Sequence, residues 1–133
     1  MRNDTPLDLA SLDTAARAEE GAVLQLRHPA TEEPLGVYVT LAGADSGICR
    51  KAQMAIGRKR IRRMKTGAVS PEEAEEEALE LLSRCTLGWE GVTVDAQVLD
   101  FSRENAVALY RRFPWIREQV DRFIGDRANY IKN

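Results

Sequence analysis

Residues suited to catalysis or metal binding are scarce in this sequence. It has one histidine and two cysteines among 133 residues. The cysteines, Cys49 and Cys85, are far apart in sequence, with no C-x-x-C, H-E-x-x-H or acidic calcium-loop pattern around them. Neither a metal centre nor a disulfide framework is therefore expected. Glycines are scattered as turn and cap residues; neither G-x-G-x-x-G nor a P-loop occurs, which argues against nucleotide chemistry. No apolar run approaches the length of a membrane span, and the opening MRNDTPLDLASLD lacks the apolar core of a signal peptide. The expectation is a chain without cofactor, metal or membrane segment, lying in the cytoplasm of a cell that keeps its thiols reduced, one of them packed.

What remains is ordinary globular material. The chain is 44% hydrophobic and 30% charged, with 19 Lys and Arg against 21 Asp and Glu, for a net charge of -2. That composition and length suit one domain over residues 1–133. A chain of this size buries about two-thirds of its unfolded surface without metal or disulfide help.

Local patterns suggest an α+β fold, with an N-terminal β-hairpin followed by a mainly helical part of about four helices. Residues 1–20 are polar and read either as flexible or as a short helix closed by Gly21. From Ala22 to Leu41, alternating residues flank the connector Pro29-Ala30-Thr31-Glu32-Glu33-Pro34, as in a hairpin with a long loop. Leu24 and Leu26 share one face of its first strand, and Val37, Val39 and Leu41 one face of its second, so one side packs and one stays wet. Asp45 or Ser46 caps a helix to about Thr66, with Ile48, Ala52, Ala55 and Ile56 inward and a basic second half projecting into solvent. Ser70-Pro71-Glu72-Glu73 opens another, by a capping box with proline at the first helical position. Ala74, Ala78, Leu81, Leu82 and Cys85 are its expected buried stripe. Gly88 to Gly91 break that helix, and a small extended element near 92–99 turns at Asp95-Ala96. Ser102 caps a helix to Arg112, Phe113-Pro114 interrupts it, and Ile116, Val120, Phe123, Ile124 and Ala128 mark the last amphipathic stripe. Residues 129–133 are expected to be a flexible end.

Few candidates for a functional site emerge. His28, in Arg-His-Pro at a strand end, has no Ser or Cys in a nucleophile context and reads as an exposed turn residue. Six glutamates from Glu72 to Glu80 suit the positive end of a helix dipole and read as a solvated face. The opposing block is more informative: Arg50, Lys51, Arg58, Lys59, Arg60, Arg62, Arg63 and Lys65, with no acid among them. Such a helix can neutralise phosphates. Three features count against nucleic acid: no interleaved aromatics, no helix-turn-helix or zipper pattern, and an acidic helix directly after Thr66-Gly67-Ala68-Val69. An antiparallel hairpin would make the two helices largely self-neutralising, and the residual polarity could steer a protein partner with an acidic surface. Trp115, beside Tyr110 and Phe113-Pro114, is either core at a helix corner or an exposed anchor.

A family resemblance rests on a particular order of residues. Leu12-Asp13-Thr14-Ala15-Ala16 is followed by Leu26-Arg27-His28-Pro29 with Glu33-Pro34-Leu35-Gly36, then Gly43-Ala44-Asp45-Ser46. The ending runs Phe101-Ser102-Arg103-Glu104-Asn105, Leu109-Tyr110, Pro114 to Val120, and Gly125 to Tyr130. Over nearly the whole chain this resembles the tail assembly chaperones of long-tailed phages and prophages, and the shared residues are turn, cap and packing residues with no catalytic signature. The resemblance implies a non-enzymatic protein of the bacterial host cytoplasm. It would bind the long helical tape-measure protein, keep it soluble, help tail-tube subunits assemble around it, and be absent from the finished virion. The expected partner-binding residues are Arg58, Lys59, Arg62, Arg63 and Trp115. A homo-oligomer stays open, since no heptad or self-complementary patch requires one. The alternatives are a small nucleic-acid-associated phage protein using residues 50–65 and a structural completion protein of the virion.

Overall fold

A computed structural model of the chain describes residues 6–131. A 3-10 turn at Leu9–Leu12 leads into α1 (Thr14–Glu20), so the short-helix reading holds for that part of 1–20, while residues 1–5 lie outside the described region. The hairpin follows as β1 (Ala22–Arg27) and β2 (Pro34–Leu41), then α2 (Gly47–Met64) and α3 (Pro71–Cys85). β3 (Thr86–Glu90) joins the hairpin, giving an antiparallel sheet of order β1-β2-β3. A second hairpin pairs β4 (Thr93–Val94) with β5 (Gln97–Val98), and α4 (Arg103–Arg112) and α5 (Pro114–Gly125) complete the order before a 3-10 turn at Arg127–Tyr130. No described helix is long and apolar enough to cross a membrane.

The mixed helix-and-strand class is as expected, and among the described residues four α-helices follow the hairpin, with the short α1 before it. The hairpin gains a third strand from later in the chain. Gly88 to Gly91 are expected only to break a helix, but Thr86 to Glu90 pair with β2 from Leu41↔Thr86 to Tyr38↔Glu90. The turn at Asp95-Ala96 is present, both residues at positive φ (52° and 65°), as a two-residue hairpin requires.

Short polar side chains set the helix starts. Ser46 Oγ accepts from Cys49 N at 3.0 Å, Ser70 Oγ from Glu73 N at 3.1 Å and Ser102 Oγ from Asn105 N at 3.0 Å. Glu19 adds a second cap to α2 from outside the helix, its Oε2 accepting from Gly47 N at 2.7 Å.

The core lies between one face of the sheet and the helices. Leu26, Val39 and Leu41 face inward, as the alternation predicted, and meet Leu79, Leu82, Leu109, Tyr110, Ile116 and Val120. α3 runs through the middle, touching α2 on one side and α4 and α5 on the other. Its buried set is therefore broader than one stripe. Glu77, Leu79, Leu82, Ser83 and Cys85 are buried, whereas Ala74 is exposed and Ala78 and Leu81 only half-buried. Tyr110 is wholly enclosed; its hydroxyl lies 2.7 Å from Thr86 Oγ1, and burial pushes its pKa up to about 12. Both cysteines are packed, not one. Cys49 Sγ donates to Ala42 O at 3.6 Å, and Cys85, hydrogen-bonded to Cys49 and buried, holds its proton well above the usual thiol range.

The end of the described chain is docked, contrary to the flexible end expected at 129–133. Tyr130 is buried, its ring edge-on to Phe123 at 5.9 Å and its hydroxyl donating to Leu41 O at 3.2 Å. Gly43 makes room for it: a Cβ there would come within 2.7 Å of Ala18 Cβ and 2.9 Å of the Tyr130 ring. Lys132 and Asn133 lie outside the described residues. Asp45 ties the same region together, accepting from Thr14 Oγ1 at 2.6 Å and from Arg127 Nε and Nη2 at 2.7 and 3.0 Å.

Two predictions follow from this packing. Leu79→Ala, which hollows the centre of the core, is expected to cost about 2–5 kcal/mol and Leu81→Ala distinctly less, measured by urea unfolding. The Arg127 guanidinium, helped by the Thr14 hydroxyl, holds the Asp45 carboxyl down to about 2 from 3.8. A depressed carboxyl pKa contributes stability that is full above the unfolded value and is lost as pH falls through the folded one. Wild type should therefore weaken between about pH 4 and pH 2 more steeply than Asp45→Asn in matched urea titrations.

Candidate cationic surface on the second helix

α2 and α3 form the antiparallel helical hairpin that the charge pattern suggested, and its geometry divides the basic block in two. Three cations turn toward α3. Lys59 Nζ donates to Glu80 Oε1 at 3.0 Å, Arg60 Nε and Nη2 to Glu77 Oε2 at 3.0 and 2.6 Å, and Arg63 Nη1 to Glu77 Oε1 at 2.9 Å. Glu77 is only 5% exposed, so the acidic row is not a uniformly solvated face. One of its members is sunk between the helices, with both oxygens occupied.

The other five cations, Arg50, Lys51, Arg58, Arg62 and Lys65, form no ion pair with any described residue. Arg50, Lys51, Arg58, Arg62 and Lys65 are all exposed. The division follows from helical phase. Cys49, Ala52 and Ile56 bury one side of α2, Lys59, Arg60 and Arg63 flank that side, and the unpaired cations project opposite.

α3 has little acid left for them. Glu73 lies 3.6 Å from Arg63, Glu75 pairs with Arg117 at 3.1 Å, Glu76 with Arg111 at 2.6 Å, and Glu80 with both Lys59 and Arg84. The acidic helix is thus neutralised from both flanks, by α2 on one side and by α4 and α5 on the other.

The five residues expected to bind a partner therefore do not form one site. Arg58 and Arg62 stand on the open face of α2, while Lys59 and Arg63 are engaged with glutamates. Trp115 lies elsewhere, half-buried and edge-on to Phe113 at 6.3 Å, lining a groove of about 450 Å³ with His28, Gln119 and Phe123 between β1 and α5. His28 is exposed, and its Nδ1 accepts from Ala30 N and Thr31 N at 3.0 and 3.2 Å. It shapes the hairpin loop. Among the described residues no three His, Cys, Asp or Glu side chains converge as a metal cage.

Sequence reading missed the exposed apolar side chains of α2. Met54, Ile61 and Met64 are 61%, 61% and 64% exposed, among the most exposed large apolar side chains of any described helix. Their signal was present: Met54 and Ile61 fall out of phase with the inward row Ile48, Ala52 and Ile56.

The partition predicts opposite responses to paired truncation. Arg60→Ala with Arg63→Ala strands a buried carboxylate and is expected to cost about 3–5 kcal/mol. Arg58→Ala with Arg62→Ala, on the open face, should stay within about 0.5 kcal/mol, both read from urea midpoints.

Compared with models of protein families, with curated proteins and with solved structures, the chain matches none.

Proposed function

We propose that this chain is a protein-binding module of the tail assembly chaperone kind, which captures the tape-measure protein, keeps it soluble and assists tail-tube assembly, without enzymatic activity. Two supports of different kinds underlie this reading. One is the resemblance in turn, cap and packing residues along nearly the whole chain. The other, which carries the proposal, is the division of the basic block: Arg58 and Arg62, with Arg50, Lys51 and Lys65, project from the fold unpaired, while Lys59, Arg60 and Arg63 are neutralised within it. Charge left unmatched inside a nearly neutral chain suits recognition of an anionic surface and speeds encounter with it.

The working surface is accordingly narrower than the sequence suggested. Arg58 and Arg62 are its members, whereas Lys59 and Arg63 act through the stability of the helical hairpin. Trp115 belongs to a separate groove and is not required for capture.

Co-expression with a tape-measure protein encoded in the same genome tests the proposal. The expected outcome is a soluble tape-measure protein that co-purifies with the chain after nuclease treatment, and a loss of co-purification with Arg58→Glu plus Arg62→Glu. Equal aggregation with and without the chain would overturn the chaperone reading. Retention on duplex DNA that falls steeply with salt, and no capture of the tape-measure protein, would favour the nucleic-acid alternative.

A further inference from the structure

The open face of α2 offers more than charge. Lys51, Met54, Arg58, Ile61, Arg62 and Lys65 recur at spacings of one to four residues and fall within about a third of the helix circumference, at 3.6 residues per turn. Arg50 borders the same arc. Met54 and Ile61 stand two turns apart on a single ridge along one edge of that arc, with Lys51, Arg58, Arg62 and Lys65 beside it, and no acid lies among them.

From this juxtaposition of exposed apolar ridge and unpaired cations, the geometry points to a docking surface on α2 for an acidic amphipathic helix of a partner protein. This rests on the protein-binding reading above and names the chemistry of its partner. The complementary helix carries apolar residues at seven-residue spacing, opposite Met54 and Ile61, with Asp or Glu beside them to meet Lys51, Arg58, Arg62 and Lys65. The seven-residue repeat is what two helices lying side by side present to one another. Methionine suits such a seam because its unbranched, polarisable side chain adapts to different partners.

Other occupants match the face less well. A duplex needs the cations but gives no use to Met54 and Ile61, and the arc holds no aromatic side chain on which single-stranded bases would stack. A membrane-surface helix needs a broad apolar face, whereas here the open arc holds only two large apolar side chains and the opposite side of α2 is packed against the fold. A second copy would need a spare acidic helix. The α3 acids Glu73, Glu75, Glu76, Glu77 and Glu80 are already held by arginines and lysines of their own chain.

The surface is tested with labelled synthetic helix-forming peptides of about 20 residues, matched to the length of α2. One is acidic with leucine every seventh position, one has glutamine in place of each acid, and one has lysine. Binding is read by fluorescence anisotropy at low and high salt, with sedimentation of the protein alone and circular dichroism of every variant. The expected result is preference for the acidic peptide by about tenfold or more over the glutamine peptide, weakened by salt. Met54→Ser with Ile61→Ser should lose about tenfold while keeping the salt slope, as the loss of apolar anchors does. Arg58→Glu with Arg62→Glu should lose the acidic peptide and gain the lysine peptide, a change of preference that general destabilisation would not produce.

The proposal is overturned if no peptide is preferred. It is equally overturned if duplex DNA or phosphatidylglycerol vesicles bind at least as tightly as the acidic peptide and Met54→Ser with Ile61→Ser changes nothing. Concentration-dependent self-association abolished by Arg58→Glu with Arg62→Glu would assign the face to a second copy and also overturn it. The two readings fail separately. Peptide recognition without tape-measure solubilisation removes the chaperone role and keeps the surface; tape-measure capture unaffected by Arg58→Glu with Arg62→Glu keeps the role and removes the surface.

Discussion

The burial of Glu77 between α2 and α3 is the constraint on which the rest of the surface depends. A carboxylate at that depth is tolerable only with both oxygens satisfied, and Arg60 and Arg63 supply the donors. Their grip fixes the rotation of α2 about its own axis, in step with the packing of Cys49, Ala52 and Ile56. Once that rotation is set, Arg58 and Arg62 have only solvent to face. The same contact explains how a strongly acidic row can start a helix in the middle of the fold. Its charge is countered on one side by α2 and on the other by Arg111 and Arg117 of α4 and α5.

Much of the fold was readable because it is written in local chemistry. Ser46, Ser70 and Ser102 cap helices through bonds made within three residues, and Asp95-Ala96 turns a hairpin within four. Strand alternation in Leu24, Leu26, Val39 and Leu41 needs no knowledge of what packs against it. Other features lay beyond sequence because they depend on distant partners. Thr86 to Glu90 has a glycine and a tryptophan where a regular strand pattern would alternate, and it becomes a strand because the open edge of β2 supplies its hydrogen bonds. Leu79 falls between the expected stripe positions of α3 and is nevertheless the most buried residue there, because that helix is covered on two sides. Tyr130 looked like part of a loose end until Gly43 and Leu41 provided its seat.

The candidate surface was half legible for the same reason. Counting charges located the basic block and its neutralising neighbour. Which cations would be consumed depended on the phase of one helix against another. Lys59 and Arg63 differ from Arg58 and Arg62 by a single position in sequence and by nearly opposite environments in the structure. Trp115 was grouped with them by residue type alone, since aromatic and arginine residues favour interfaces, and no local signal separates a groove on α5 from a ridge on α2.

The open face of α2 also carries an internal strain. Arg58 and Arg62 sit one turn apart and Arg62 and Lys65 nearly so, an arrangement of like charges that opposes the helix by a few tenths of a kcal/mol per pair. The negative end of the helix dipole offsets part of this in the last turn, where Arg62 lies, but it decays before reaching Lys51. An anion laid along the ridge would relieve that mutual repulsion as well as meet each cation singly. The helix is held, by its contacts on the other side, in a shape its own charges oppose, so part of the energy for binding any such anion would already be stored in the protein alone.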